Sequence, residues 1–227
     1  MSIVADDPSA ADAAAFGLTE AARRRIAEAV AAAEARTAAE IRVVVARAPL
    51  VQHSFFPVLW ASLVALVAPW LLVLAEPFVP FLLAPMSALT TLSAQAVLFV
   101  VLCALLMLPG VSQRVIPRLA LKAAARSAAI ETFLAYGIPQ TPGRTGLLIF
   151  AAARERLVEV VADEALHGPL GPAAWSAICD AVTEQAGKGS LVDGLVAGVE
   201  QAGALLSGPL PHRAGETNAL PDHVIVL

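Results

Sequence analysis

Between Arg47 and Glu76 the chain has no lysine, arginine, aspartate or glutamate, and there is none again between Glu76 and Arg114. Soluble domains carry about 25% charged residues, whereas this chain has 15%. Gaps of that length exclude an ordinary solvated surface across them. Cysteine is nearly absent, with two in 227 residues. Cys103 falls in an apolar run and Cys179 in an amphipathic stretch, so a structural disulfide is not expected, and a small buried apolar role accounts for each. Positive charge is also in deficit, at a net −4 and a pI near 5.5. Without a general basic surface, nucleic acid is excluded as a partner. The first fifteen residues hold Asp6, Asp7 and Asp12 but no basic or apolar block. They read as a flexible leader rather than a secretory signal.

The uncharged gaps hold Phe55–Ala75 and Ala96–Leu108, and the mean hydropathy of the chain is +0.74. A bilayer core of about 30 Å is crossed by roughly 20 apolar residues in a helix. The expectation is a two-helix transmembrane hairpin over residues 50–112, with spans at about 54–75 and 90–109. Pro69 would kink the first span, Pro77, Pro80 and Pro85 would mark the turn, and Trp60 and Trp70 are candidate interface anchors. Arg42 and Arg47 precede the hairpin, Arg114, Arg118, Lys122 and Arg126 follow it, and the connection between the spans has no basic residue. The positive-inside rule then places both flanks in the cytoplasm. Neither span contains a charged residue, which favours an anchor over a conduit.

The flanks carry the signals of one mixed domain. Thr19 caps a helix to about Arg36, with Ala22, Ile26, Ala29, Val30 and Ala33 on one face. Ile41–Ala46 is a β-branched run expected as a buried strand. Arg118–Tyr136 reads as a helix with Leu119, Ala123, Ile130, Phe133 and Leu134 on one side, ended by Gly137 in a left-handed conformation. Leu147–Ala152 and Leu157–Val161 flank Arg154-Glu155-Arg156 and form an antiparallel hairpin. Pro172 opens another helix, and Ser190 with Asp193 resembles a capping box for the last one. His212–Leu227 is a tail whose Val224-Ile-Val-Leu run either adds a strand or fills a groove. The division is therefore a leader (1–17), the first part of the domain (18–49), the hairpin (50–112), the remainder of the domain (113–208) and a tail (209–227). The fold class is α/β, a small layered sheet with flanking helices, interrupted by the hairpin.

Thr145-Gly146 before Leu147-Leu-Ile-Phe, then Glu155-Arg156-Leu-Val-Glu-Val, resembles the TPM domain family. So do Leu18-Thr19 with Glu40-Ile-Arg-Val-Val-Val45, and Gly189-Ser-Leu-Val-Asp-Gly-Leu195. The likeness spans Leu18–Ala48 and Lys122–Leu206 and implies a membrane-split member with the hairpin inserted after the first strand. It implies a membrane-anchored accessory protein that serves complex assembly, repair or receptor association; phosphatase activity and divalent-metal binding are attributed to some members. Two departures stand out. Pro142-Gly-Arg-Thr carries no carboxylate where the family has an acidic loop. Ala162-Asp-Glu-Ala-Leu-His167 replaces a glycine-rich turn.

Asp163, Glu164 and His167 are the densest set of candidate metal ligands, following a strand, with Asp180 or Asp193 as further donors for a divalent cation. Arg154, Glu155 and Arg156 are candidates to hold phosphate or to pair with those carboxylates across the sheet. No glycine-flanked serine, Cys-x5-Arg loop or Walker-type glycine run is present, and His53, His212 and His223 lie at the hairpin boundary or in the tail. No catalytic residue is assigned. The readings are a non-catalytic interaction module at the cytoplasmic face of a bacterial-type inner membrane, partnered by the bilayer and a membrane-associated protein; a metal-dependent phosphatase; and a small transporter or channel subunit.

Overall fold

The computed structural model describes residues 16–51, 55–75, 88–108, 111, 114–141, 143–168, 170–212 and 221–227. His53, Pro142 and the prolines expected to turn the hairpin, Pro77, Pro80 and Pro85, lie outside them. The chain divides into a unit of residues 1–50 and 122–227 and a unit of residues 51–121.

The first unit is a mixed α/β domain. Helix α1 (Glu20–Glu34) begins where the Thr19 hydroxyl accepts from the Ala22 amide at 3.2 Å, the capping expected from sequence. Strand β1 (Glu40–Ala46) and strand β2 (Gly146–Ala152) run parallel, with Glu40 opposite Gly146 and Ala46 opposite Ala152. Strand β3 (Leu157–Ala162) returns antiparallel to β2, as its short polar spacer predicts. Val224-Ile-Val-Leu supplies the fourth strand, β4 (Ile225–Val226), parallel to β1, and the sheet order is β3-β2-β1-β4. So the end of the expected tail belongs to the sheet, with Val224 buried.

Every residue of β2 is buried, and so is every residue of β1 after Glu40. Strands covered on both faces lose the apolar–polar alternation. On one face Ile41, Val43, Val45, Leu147 and Ile149 pack with Ile26, Val30, Ile178, Leu195, Val199 and Leu206. On the other, Val44, Leu148 and Phe150 pack with Ala129, Phe133 and Ile138. Gly146 is required where β2 begins: a Cβ there would lie 2.8 Å from the Ile138 carbonyl oxygen.

After β1 come the apolar helices α2 (Phe55–Ala75) and α3 (Ala88–Leu106), then α4 (Arg118–Ala135). In the second unit α2 and α3 pack together, with Ala61 and Ala65 of α2 buried one turn apart. Small side chains at that spacing let helix backbones approach closely. Among the described residues, one helix is long and apolar enough to cross a membrane: α3, 19 residues, mean hydropathy 2.2, with none of its 18-residue apolar window buried. The apolar stretch Phe55–Leu71 is shorter. Pro69 lies inside α2, and Trp60 donates from Nε1 to the Val115 carbonyl at 3.1 Å.

Helix α4 covers the second sheet face with Ala125, Ala129, Thr132 and Phe133. The sequence placed Phe133 on one side with Leu119, Ala123, Ile130 and Leu134; Phe133 is buried and the other four are exposed. Gly137 ends the segment at φ 65°, as expected. The last helices are α5 (Glu164–His167), α6 (Pro172–Gly187) and α7 (Leu191–Ser207). Ser190 caps α7 by accepting from the Asp193 amide at 3.1 Å. Gly194 permits the close approach of α7 to α6, since a Cβ there would sit 2.5 Å from the Val182 carbonyl oxygen.

Candidate functional site

Asp163 follows β3 directly, and its amide donates to the Gly146 carbonyl at 2.9 Å. The site is therefore at the end of the sheet where β1 and β2 begin. Open parallel sheets usually bind ligands at the other end, where the strands finish. The antiparallel return of β3 is what sends these residues to the amino-terminal end. Asp163 is 6% exposed and caps α5, its Oδ1 accepting from the Glu164 amide at 2.7 Å.

Arg144 sits in the loop before β2 at φ 50°, a conformation uncommon for a residue with a side chain. Its guanidinium donates to Glu164 Oε2 at 2.8 Å and lies 3.8 Å from Asp163 Oδ1. His167 turns Nε2 to the Ala162 carbonyl at 3.2 Å and stands edge-on to Trp175, ring centroids 5.8 Å apart. Asp163 Oδ2 and Thr141 Oγ1 are buried without a hydrogen-bond partner.

The structure thus brings Asp163 and Glu164 together around an arginine, while His167 faces backbone and tryptophan. Asp193 pairs with Arg25 at 2.6 Å, and Asp180 is exposed on α6. The Arg25 guanidinium and the Ser190 hydroxyl hold the Asp193 carboxyl below its ordinary range, the Ser190 bond being the larger cause. Among the described residues no three His, Cys, Asp or Glu side chains are grouped as a metal site. As arranged, the Arg144 guanidinium engages Glu164 and stands beside Asp163, offsetting one of their two negative charges, so a divalent ion held there would have to displace it.

The hairpin tip is at the opposite end of the sheet. Ala152 pairs with Leu157 there, whereas Leu147 pairs with Ala162 beside Asp163. Arg154 and Arg156 therefore do not pair with the carboxylates across the sheet. Glu155 instead accepts from the Leu50 amide at 3.1 Å, where the chain leaves the domain. The arginine that reaches β3 is Arg126 of α4, which donates to the Val160 carbonyl at 2.9 Å and lies 3.6 Å from Glu159.

A second polar group went unnoticed in the sequence. Arg42, 5% exposed in the middle of β1, donates to the Pro221 carbonyl just before β4. Glu34 accepts from the Ile41 amide at 2.6 Å. Burial, helped by Glu40 and Asp222, pushes the Glu34 carboxyl up to about 8 against the pull of the Ile41 N–H and Arg42. Burial also lowers the Arg42 guanidinium, opposed by Tyr136, Glu34, Asp222 and Glu40. The available signal was a charged residue inside a β-branched run, which a buried strand tolerates only with partners. Burial pushes the Cys179 thiol up to about 11, which disfavours its thiolate form.

The fold and these two polar groups define a class: a four-stranded mixed α/β domain into which an apolar helical unit is inserted after the first strand. Residues 115–205 match the family model described as the TPM domain, which shows the resemblance drawn from the sequence over that part of the chain. The solved BA42 protein from the psychrophilic bacterium Bizionia argentinensis has the same fold at TM-score 0.56 and 16% identity. That likeness covers 92% of this chain and 94% of BA42. No curated protein matches the sequence.

Proposed function

We propose that the protein is a membrane-anchored TPM-like domain acting as a non-catalytic accessory or interaction module at the cytoplasmic face of a bacterial-type inner membrane. The observation that carries this reading is α3: a 19-residue helix of mean hydropathy 2.2 with no buried residue, in the middle of a domain with a complete core of its own. Water makes such a surface costly, at about 25 cal/mol per Å² of apolar area, and lipid removes that cost. Helix α2, without one ionisable residue from Phe55 to Ala75, serves as the second span and returns the chain to the side it left. The basic flanks Arg42, Arg47, Arg114, Arg118 and Lys122 favour the cytoplasmic side for both ends. The partner is a membrane or membrane-associated protein.

Photo-cross-linking in intact membranes from exposed positions of α6 tests this role. A discrete protein adduct supports an interaction module. Turnover of a phosphomonoester by the pure protein, abolished in Asp163→Asn, would contradict a non-catalytic role. That phosphatase reading keeps one observation in its favour, the buried, unpartnered Asp163 Oδ2. It requires Arg144 to leave the two carboxylates, and titration with Ca²⁺, Mg²⁺, Mn²⁺ and Zn²⁺ beside Asp163→Ala/Glu164→Ala tests it directly.

A further inference from the structure

Helix α4 has two outer rows that no described part of the protein covers. Leu119, Ala123, Ile130 and Leu134 recur at helical spacing, with the three large side chains 83%, 41% and 63% exposed. Arg118, Lys122 and Arg126 form the adjoining row, one turn apart and all exposed. Arg118 and Lys122 have no ion-pair partner among the described residues, and the single acidic residue of the helix is Glu131. Solvated helices put charge where this one puts leucine.

Cations in the first turn of a helix also oppose its dipole, and this first turn has no acidic residue to offset them. An anion held at that end would relieve both features. Covalent connection supplies the source. Arg118 follows the end of α3 by twelve residues, which reach at most about 40 Å when fully extended.

We infer that α4 is an interfacial helix that binds anionic phospholipid, Leu119, Ile130 and Leu134 dipping into the acyl boundary and Arg118 and Lys122 contacting headgroup phosphates. Apolar and basic rows side by side are the pattern of helices that lie in a membrane surface. The inference rests on the anchoring reading above and goes beyond it. It gives the soluble domain a preferred lipid, and a fixed face toward the bilayer, through the one helix that covers the second side of its sheet.

The test uses the full chain, with Cys103→Ala and Cys179→Ala, reconstituted in phosphatidylcholine vesicles with and without phosphatidylglycerol. An environment-sensitive fluorophore is attached in turn at Leu134→Cys, Ile130→Cys and Val97→Cys. The inference predicts that probes at 130 and 134 are quenched by a shallow lipid quencher and shift to the blue only with phosphatidylglycerol. Arg118→Glu/Lys122→Glu should abolish that dependence while the probe at 97 stays in contact with lipid. Circular dichroism on each variant establishes folding, and Leu134→Gln, which leaves all charges in place, should weaken the shift of the probe at 130.

Water-exposed probes at 130 and 134 beside a lipid-exposed probe at 97 would overturn the inference and leave the anchor standing. A water-exposed probe at 97 would overturn both. Probes at 130 and 134 shielded from water and lipid alike would assign the row to a protein partner or a second copy, against the inference. Lipid contact independent of phosphatidylglycerol would overturn the anionic preference.

Discussion

Strand β2 and helix α3 are almost equally apolar, and the structure treats them in opposite ways. All of Gly146–Ala152 is buried between two helical layers, whereas no residue of Ala88–Leu106 is buried. Hydrophobicity alone does not decide whether a segment is buried; the difference is what surrounds it. β2 contributes to an apolar cluster on each of its two faces, whereas among the described residues of its unit α3 packs on α2. The two regions also handle charge differently. The sheet domain buries Arg42 and Asp163 against partners, while α2 and α3 contain no ionisable group but Cys103.

The sharpest way to break this contrast is to place one charge in each region. Leu148→Asp leaves an unpaired carboxylate in the core and should cost more than about 4 kcal/mol, enough to unfold the domain in a thermal melt. Val100→Asp should leave the sheet domain folded in detergent and cost about 2.5–3.5 kcal/mol in a membrane-insertion assay instead. Truncation gives the same contrast more gently. Phe150→Ala, at a side chain 1% exposed, should cost about 3–5 kcal/mol, and Val97→Ala, 63% exposed, less than about 0.5 kcal/mol.

A pH series probes the charge the sheet domain buries. With the Glu34 carboxyl at about 8 in the fold and near 4.5 when unfolded, the folded state keeps a proton that the unfolded chain has released. That stabilisation is complete below about pH 4.5 and is lost as pH rises through 8. Melting between pH 5 and 9 should therefore show a fall worth about 1–3 kcal/mol after allowance for partial exposure, absent in Glu34→Gln.

Asp163→Ala removes the cap of α5 and should cost about 1 kcal/mol in a denaturant titration. Lys188→Ala, at an exposed pair 3.0 Å from Glu184, should change the same titration by at most about 0.5 kcal/mol.

Local signals carried most of the element boundaries. Thr19, Gly137, Pro172 and Ser190 each mark a helix or turn end where the structure has one, since caps and left-handed turns depend on a few adjacent residues. The apolar runs that became β1 and β2 lack a regular polar alternation because both faces of these strands are buried. What failed was non-local. The antiparallel return of β3 decides that Asp163 meets Arg144 and not Arg154 or Arg156. No spacing in the sequence announces that Glu34 lies against Ile41 and Arg42 against Pro221, 179 residues away. The buried face of α4 was misplaced because it is made of small residues, Ala125 and Ala129, while the large Leu119 and Leu134 face outward.

Alkaline carbonate extraction of membranes from cells producing the full chain tests the central claim most directly. The account predicts that the protein stays in the membrane pellet and is released only by detergent. Recovery of folded protein in the carbonate supernatant would contradict it, because helices lying across a bilayer are not displaced by high pH or salt.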